Sequence, residues 1–390
     1  MSRFSVPCIL AISAFFCGLS GQSVRAQSVK KVFVIAMENH NWTQPDHRFN
    51  GKIQQIFQNP SAPFINSLVD GTSDISKQVS YATAYHNALA TPSGNNPSIH
   101  PSEPNYLWSE AGTNFGIFND NDPYQSPGGT NQNTNQHLSA FLTAAGRTWR
   151  SYQEDIDLTP SGGGLTNVPL PESQWTVPLS SFSGNFVSGV NAYNGSTQYN
   201  YAAKHNPTVF FTDTNGGDNA TPANPLSTHY APLQQLQVDL ASNAVADYNW
   251  ITPDQYNDMH TTLTGGFQGK TGDEASIAQG DNFLSIIVPM IMASKAYQDN
   301  GAIIIWWDET ESDGPSDNPN DFAHTLGEIV ISPLARPNSG GVPYASSVDF
   351  THSSDLRTWE ELFHLQPFLG DAVNASDLSD LFVPGAITAH

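Results

Sequence analysis

Residues 301–314 read GAIIIWWDETESDG, and this stretch decides the fold. The apolar run is too short for a buried helix, is rich in Ile and Trp, and ends on adjacent carboxylates, Asp308 and Glu309. It reads as a strand buried on both faces, as in the interior of a parallel sheet. Ligands of open parallel sheets gather just beyond the carboxyl ends of strands. Two anions placed there therefore predict a hard-cation site.

Working outward, residues 30–37 (KKVFVIAM) form a second such run, which stops at Glu38 and Asn39. Further strands are expected at 148–152, 208–212 (TVFFT), 248–252 (YNWIT) and 328–332 (EIVIS), and 79–86 reads either as a strand or as an extended approach to a site. Helices are expected at 62–69, closed by Gly71, at 136–145, ending at Gly146, and at 233–241. Two more are expected at 281–298, bent at Pro289, and at 355–365, capped by Ser353. Strands alternating with helices, several apolar throughout, give an α/β class: a three-layer α/β/α sandwich with a mainly parallel sheet. Polar, Gly-rich stretches at about 110–135 and 160–200 read as insertions within one domain (27–390), forming a rim or lid.

The chain has 390 residues, a net charge of −22, 38% hydrophobic and 13% charged residues, enough for a large core and unlike a disordered acidic protein. So acidic a balance excludes nucleic acid as a partner. Arg3, an apolar run at 6–19 and Val24-Arg25-Ala26 fit a signal peptide spanning 1–26, which predicts a secreted or periplasmic product. The apolar run is shorter than the ~20 residues of a spanning helix, so no integral membrane segment is expected in the mature chain. Cys8 and Cys17 both lie in the leader, which leaves the mature chain without disulfides or cysteine-bound zinc.

Four clusters punctuate the pattern: Glu38-Asn39, Ser102 in its Pro-flanked turn, Asp258 with His260, and Asp308-Glu309. Ser102 reads as a helix N-cap, with Pro104 in the first turn, so its hydroxyl would sit at a positive helix end that suits an anion or alkoxide. Singly, such acids are more often caps or solvated loop anions than ligands. Of the twelve histidines, His40, His47, His137, His364 and His390 read as packed or surface residues, whereas His86, His229, His260 and His352 lie in polar turns near the clusters. Imidazoles there can hold phosphate oxygens, protonate a leaving group or bind a second metal.

Several motifs in order resemble a known family: Glu38-Asn39, Pro101-Ser102-Glu103-Pro104-Asn105, Lys204-His205-Asn206-Pro207, the run from Trp250 to His260, Gly280-Asp281, Trp307-Asp308-Glu309, Ile331-Ser332-Pro333-Leu334 and His352-Ser353-Ser354. They resemble the phosphoesterase family of bacterial phospholipases C and secreted acid phosphatases, within the alkaline phosphatase superfamily. The resemblance implies an alkaline-phosphatase-like α/β/α core and a divalent metal ligated by Glu38, Asn39, Asp308 and Glu309. It implies Ser102 as a nucleophile that also touches the metal, and His86, His229 and His260 as contacts of the phosphoryl oxygens or leaving group.

The implied activity is hydrolysis of a small phosphate ester through a phosphoserine, with a phosphomonoester the first expectation. His40-Asn41-Trp42 after the Glu-Asn pair, a serine rather than threonine nucleophile, and the missing extra domains point to the acid-phosphatase branch. A phospholipase C with peripheral lipid contact is the alternative. From another class, a noncatalytic carbohydrate-binding protein is the rival, and it would not need Ser102, Glu38, Asp308 and Glu309 to converge. Oxygen ligands suit Mg, Mn or Ca, and histidines admit Zn.

Overall fold

The computed structural model describes Met1 and residues 27–388, except 45–48, 50, 52–53, 88–98, 315–316, 319–320, 339 and 341. The leader at 2–26 with both cysteines, His47, His390 and part of the turn before Ser102 lie outside the described residues.

The strands in chain order are β1 (Lys31–Met37), β2 (Val79–Ala82), β3 (Tyr85–His86), β4 (Trp149–Gln153), β5 (Leu158–Ser161), β6 (Gly164–Pro169) and β7 (Phe182–Asn185). They continue with β8 (Gln198–Tyr201), β9 (Tyr230–Pro232), β10 (Tyr248–Thr252), β11 (Gly301–Trp307), β12 (Glu328–Ile331), β13 (Tyr344–Ser346) and β14 (Phe350–Thr351). Eight of them form one sheet in the order β13-β2-β12-β11-β1-β10-β4-β9. All neighbours pair in parallel except β12, which is antiparallel to both β11 and β2.

Every residue of β11 is buried, which explains a run with no polar alternation. Gly301 opens it because a Cβ there would lie 2.7 Å from the Tyr297 Cα and 2.8 Å from the Ala296 carbonyl oxygen. The β1–β11 register pairs Met37 with Trp307, so Glu38 and Asp308 leave the sheet side by side at its centre.

The helices are α1 (Pro63–Asp70), α2 (Ser102–Ala111), α3 (Leu138–Ala144), α4 (Thr212–Asn215), α5 (Gln234–Ser242), α6 (Asp273–Met292), α7 (Lys295–Gln298) and α8 (His352–Phe363). One group packs α1 on α6, α6 on α7 and α7 on α5; a second packs α2 on α8 and α3. These are the outer layers of an α/β sandwich. Within α1, Ile65, Leu68 and Val69 face inward, and the helix stops at Gly71, whose φ of 85° suits glycine. Asp281, on α6, accepts the amides of Phe64 and Ile65 at 3.0 and 2.8 Å, so the Gly280-Asp281 motif serves as an anion on the α1 N-terminus. The helix α6 has the length and composition to cross a membrane, but most of it is buried inside the protein.

The structure corrects several expectations. TVFFT is not a strand: Pro207–Phe210 is a 3₁₀ turn running into α4, which buries Val209, Phe210 and Phe211, and its strand character is reduced to an isolated bridge between Phe211 and Gln132. The helix expected from 281 begins at Asp273, and a Ser294 cap separates α7 from it. Ser102 is the first residue of α2 rather than its cap, because extended Pro101 takes the cap position. Thr351, in a reciprocal capping box with Ser354, starts α8 instead of Ser353. The 160–200 insertion is not structureless, since β5 pairs with β6 and β7 with β8 as antiparallel hairpins.

Candidate active site

Ser102 is carried by the first turn of α2 to the carboxyl ends of β1 and β11. Its Oγ lies 3.1 Å from Glu38 Oε2, 3.4 Å from Glu309 Oε1 and 3.5 Å from Asn39 Oδ1. The Asn39 amide donates to Asp308 Oδ1 at 3.1 Å, and Asn39 adopts a φ of 36°, a left-handed conformation that turns the chain sharply off the strand. Glu38, Asp308 and Glu309 are buried. Tyr106, one helical turn after Ser102, donates its hydroxyl to Glu38 Oε1. Beneath it, Tyr106, Trp250 and Trp306 pack edge to face with ring centroids 5.3–5.9 Å apart, a rigid aromatic floor.

The site extends to a residue the sequence reading left without a role. His205 Nε2 lies 3.3 Å from Glu38 Oε1 and its Nδ1 3.2 Å from Asp258 Oδ2. Glu38, His205 and Asp258 each offer a ligand atom within 4.8 Å of the others. Lys204, a cation beside this centre, is bonded to Asp120 Oδ2 at 3.0 Å.

Burial, then the charges of Asp308 and Asp258, push the Glu38 pKa well above the carboxylate range, and burial lifts Asp258 likewise. Burial and neighbouring Glu309 do the same to Asp308. His205 is driven well below its ordinary value by burial, reinforced by Lys204 and His260. Burial alone would lower Lys204, but Glu38 and Asp120 outweigh it and hold it high. Mutually repelling buried acids are what a cation site looks like without its cation.

The Asn39 side chain stands against two of these acids. Its Oδ1 points at Glu38 Oε2 and Asp308 Oδ1, 2.7 and 3.2 Å away, where oxygen faces only acceptors. A cation between them would make that orientation favourable, whereas turning the amide would replace the clash with hydrogen bonds. The donor set of carboxylates, amide and hydroxyl is compatible with a divalent metal.

Of the expected residues, Glu38, Asn39, Ser102, Asp308 and Glu309 thus converge. His260 joins them at the edge, its ring 5.7 Å from that of His205 and its Nδ1 3.0 Å from Thr261 Oγ1. His86 ends β3 and stacks on Phe322 at 3.8 Å, and no hydrogen bond or ion pair joins it to Ser102 among the described residues. His229 does not join them. It precedes β9 at the amino edge of the sheet, stacked on Trp149 at 4.2 Å, because a polar turn beside a strand does not reveal which strand end it occupies. The resemblance motif Lys204-His205-Asn206-Pro207 was the available signal for His205.

Beside Ser102, burial lifts Glu103 to about 9; farther off, burial lifts Glu360 to about 8, and burial with Glu154 lifts Asp155 to about 8. A carboxyl raised in the fold stabilises it fully below its unfolded value of about 4, and that contribution disappears as pH climbs through the folded value. Burial lowers His86 and His260 to about 4, so their contribution is complete above about 6.5 and is lost as pH falls. The three carboxyls outnumber the two histidines and go on titrating above pH 6.5, where the histidine contribution is already complete, so the melting temperature of the chelated protein should fall as pH rises from about 6.5 to 9. Calorimetry across pH checks this, and a melting temperature still rising at alkaline pH contradicts it.

Fold and site define a class: an α/β enzyme with a serine hydroxyl set among carboxylates at the carboxyl edge of a mainly parallel sheet. The model of the Phosphoesterase family matches residues 11–366, and the chain belongs to that family. It is a hydrolase acting on phosphoric ester bonds. Similar proteins include a phosphatidylinositol-3-phosphatase of Mycobacterium tuberculosis, 25% identical over 327 residues that take in 84% of this chain and 78% of that one. A probable acid phosphatase of Kluyveromyces lactis is 24% identical over 295 residues, 73% of this chain and 56% of that one. Among solved structures, an alkaline phosphatase superfamily protein of Vibrio parahaemolyticus superposes with a TM-score of 0.45 at 9% identity, covering 91% of this chain and 72% of that one.

Proposed function

We propose that this chain is an exported, metal-dependent acid phosphatase that hydrolyses phosphomonoesters through a phosphoserine on Ser102. The observation that carries the reading is Ser102 Oγ at 3.1 Å from Glu38 and 3.4 Å from Glu309, at the helix N-terminus where an anion is favoured. Glu38, Asn39, Asp308 and Glu309 would hold the divalent ion, with His205 and Asp258 beside them. When bound, the ion supplies activation of the serine oxygen and charge stabilisation for the phosphoryl group.

The chain's own groups do the rest. The Ser102 hydroxyl already donates toward Glu38, which is the direction its proton leaves as Oγ bonds to phosphorus and the ester P–O bond breaks. Lys204 opposes the charge of the transferring phosphoryl group. His260, neutral because burial and Lys204 lower its pKa to about 4, is set to donate a hydrogen bond to a phosphoryl or leaving-group oxygen. The leaving oxygen takes a proton from solvent; water then attacks the phosphoserine, and as the P–Oγ bond breaks Ser102 Oγ regains a proton and phosphate departs.

The relatives named acid phosphatase, and the one named for a phosphate on an inositol lipid, support a monoester. Assays on a soluble monoester, a diester and phosphatidylcholine, each with and without chelator, test this. Monoester turnover that falls at least about 100-fold on chelation and returns with Mg, Mn, Ca or Zn is expected. Preference for phosphatidylcholine would reassign the chain as a phospholipase C. Inactivity on all substrates would favour the carbohydrate-binding reading. Export rests on the leader.

A further inference from the structure

We propose that His352 is a positioning residue that sets the geometry of Asp308 and Glu309 by holding the peptide between them. The inference rests on those two acids binding the metal.

Successive side chains of a strand point to opposite faces, yet Asp308 and Glu309 are adjacent and both face Ser102 and its neighbours. The chain must therefore turn at their shared peptide. The Asp308 amide still belongs to the sheet, donating to the Met37 carbonyl at 3.2 Å. The Asp308 carbonyl has left it and meets His352 Nε2 at 2.6 Å. A buried carbonyl needs a donor, and this one belongs to the very peptide whose plane orients both acids.

The imidazole is fixed in the right form by its other side. Trp306 Nε1, which can only donate, lies 3.0 Å from His352 Nδ1, so Nδ1 carries the lone pair and Nε2 the proton. The same indole lies 3.1 Å from the Tyr85 hydroxyl oxygen, and Tyr85 donates in turn to Asp355. Tyr85 Oη lies 2.8 Å from Nδ1 with its own proton turned to Asp355, so the single indole hydrogen is shared between these two neighbouring acceptors. His352 is itself fully buried as the first residue of α8, which is held by the Thr351–Ser354 capping box. A rigid helix start, oriented by an indole from the same strand as Asp308, thus grips the strand end, as second-layer partners orient metal ligands.

Two variants separate positioning from packing. In His352→Gln the side-chain amide reaches as far as Nε2 and can still donate to the Asp308 carbonyl; in His352→Leu nothing can. Calorimetric titration with Mn²⁺ alone is expected to show affinity weakened about 10–100-fold in His352→Leu, with most of it restored in His352→Gln. Monoester kcat should fall in parallel, while KM changes less. Equal losses in the two variants, or unchanged Mn²⁺ affinity in His352→Leu, overturn the proposal. If His352→Leu does not fold, His352→Asn serves in its place, since its amide stops short of the carbonyl. A wild-type protein that binds no Mn²⁺ and hydrolyses no monoester would refute the underlying metal reading rather than the role of His352.

Discussion

Ser102→Ala is expected to remain folded and to lose roughly 10⁴-fold or more in monoester kcat/KM. The hydroxyl makes little structural contribution, because extended Pro101 already occupies the α2 cap position and, among the described residues, Ser102 Oγ bonds to groups of the site. Its removal should change stability by no more than ~1 kcal/mol. The catalytic loss is large because a nucleophile is not replaced by its surroundings: Glu38, Asn39 and Glu309 remain in place with no oxygen to activate. The measurement pairs kcat/KM with a thermal melt and with acid-quench mass spectrometry of the Ser102 peptide. Phosphate should be trapped on that peptide in the wild type during turnover. A Ser102→Ala protein that still turns over would remove Ser102 as nucleophile.

Much of this fold is legible in the sequence because buried parallel strands declare themselves. GAIIIWW and KVFVIAM carry no alternation, both are buried almost end to end, and each stops at the acids that build the site. YNWIT falls on β10 without a residue's error. TVFFT has the same look but lies in a turn, since a short apolar run cannot by itself distinguish a strand from any other buried segment. The start of α6 escaped notice because Asp273 and Glu274 open it and Gly280 interrupts its pattern. Gly280 is there for packing: a Cβ would come within 2.3 Å of Met259 and 2.9 Å of Met37. The strand-end acids were visible one by one. That Asp258 and Glu38 share His205 was not, because those residues come from three separate segments and meet only once the sheet order is known.

Asp308→Asn should have effects of opposite sign on activity and on the stability of the chelated protein. The substitution keeps an oxygen to accept the Asn39 amide, now at 3.1 Å, but removes one charge from the buried set. On the proposed function Asp308 is a metal ligand, and losing such a carboxylate withdraws several kcal/mol of transition-state stabilisation, so activity should fall roughly 10³-fold. Without metal, the same charge is a liability, since burial and Glu309 hold the Asp308 pKa well above its ordinary value. A carboxyl raised in the fold contributes its stability when protonated and loses it as pH rises. Asparagine imitates the protonated form at every pH. In chelator the variant should therefore melt at least about 2 °C above wild type at alkaline pH, with the difference vanishing in acid, where Asp308 is protonated in both states. Saturating Mn²⁺ should reverse the order, because binding stabilises only the protein that retains affinity, by RT ln(1 + [L]/Kd). Melts in chelator and in Mn²⁺, each at acid and alkaline pH, read all four corners. An Asp308→Asn protein that melts below wild type in chelator at alkaline pH would show that Asp308 is held by structural bonds rather than strained by its neighbours.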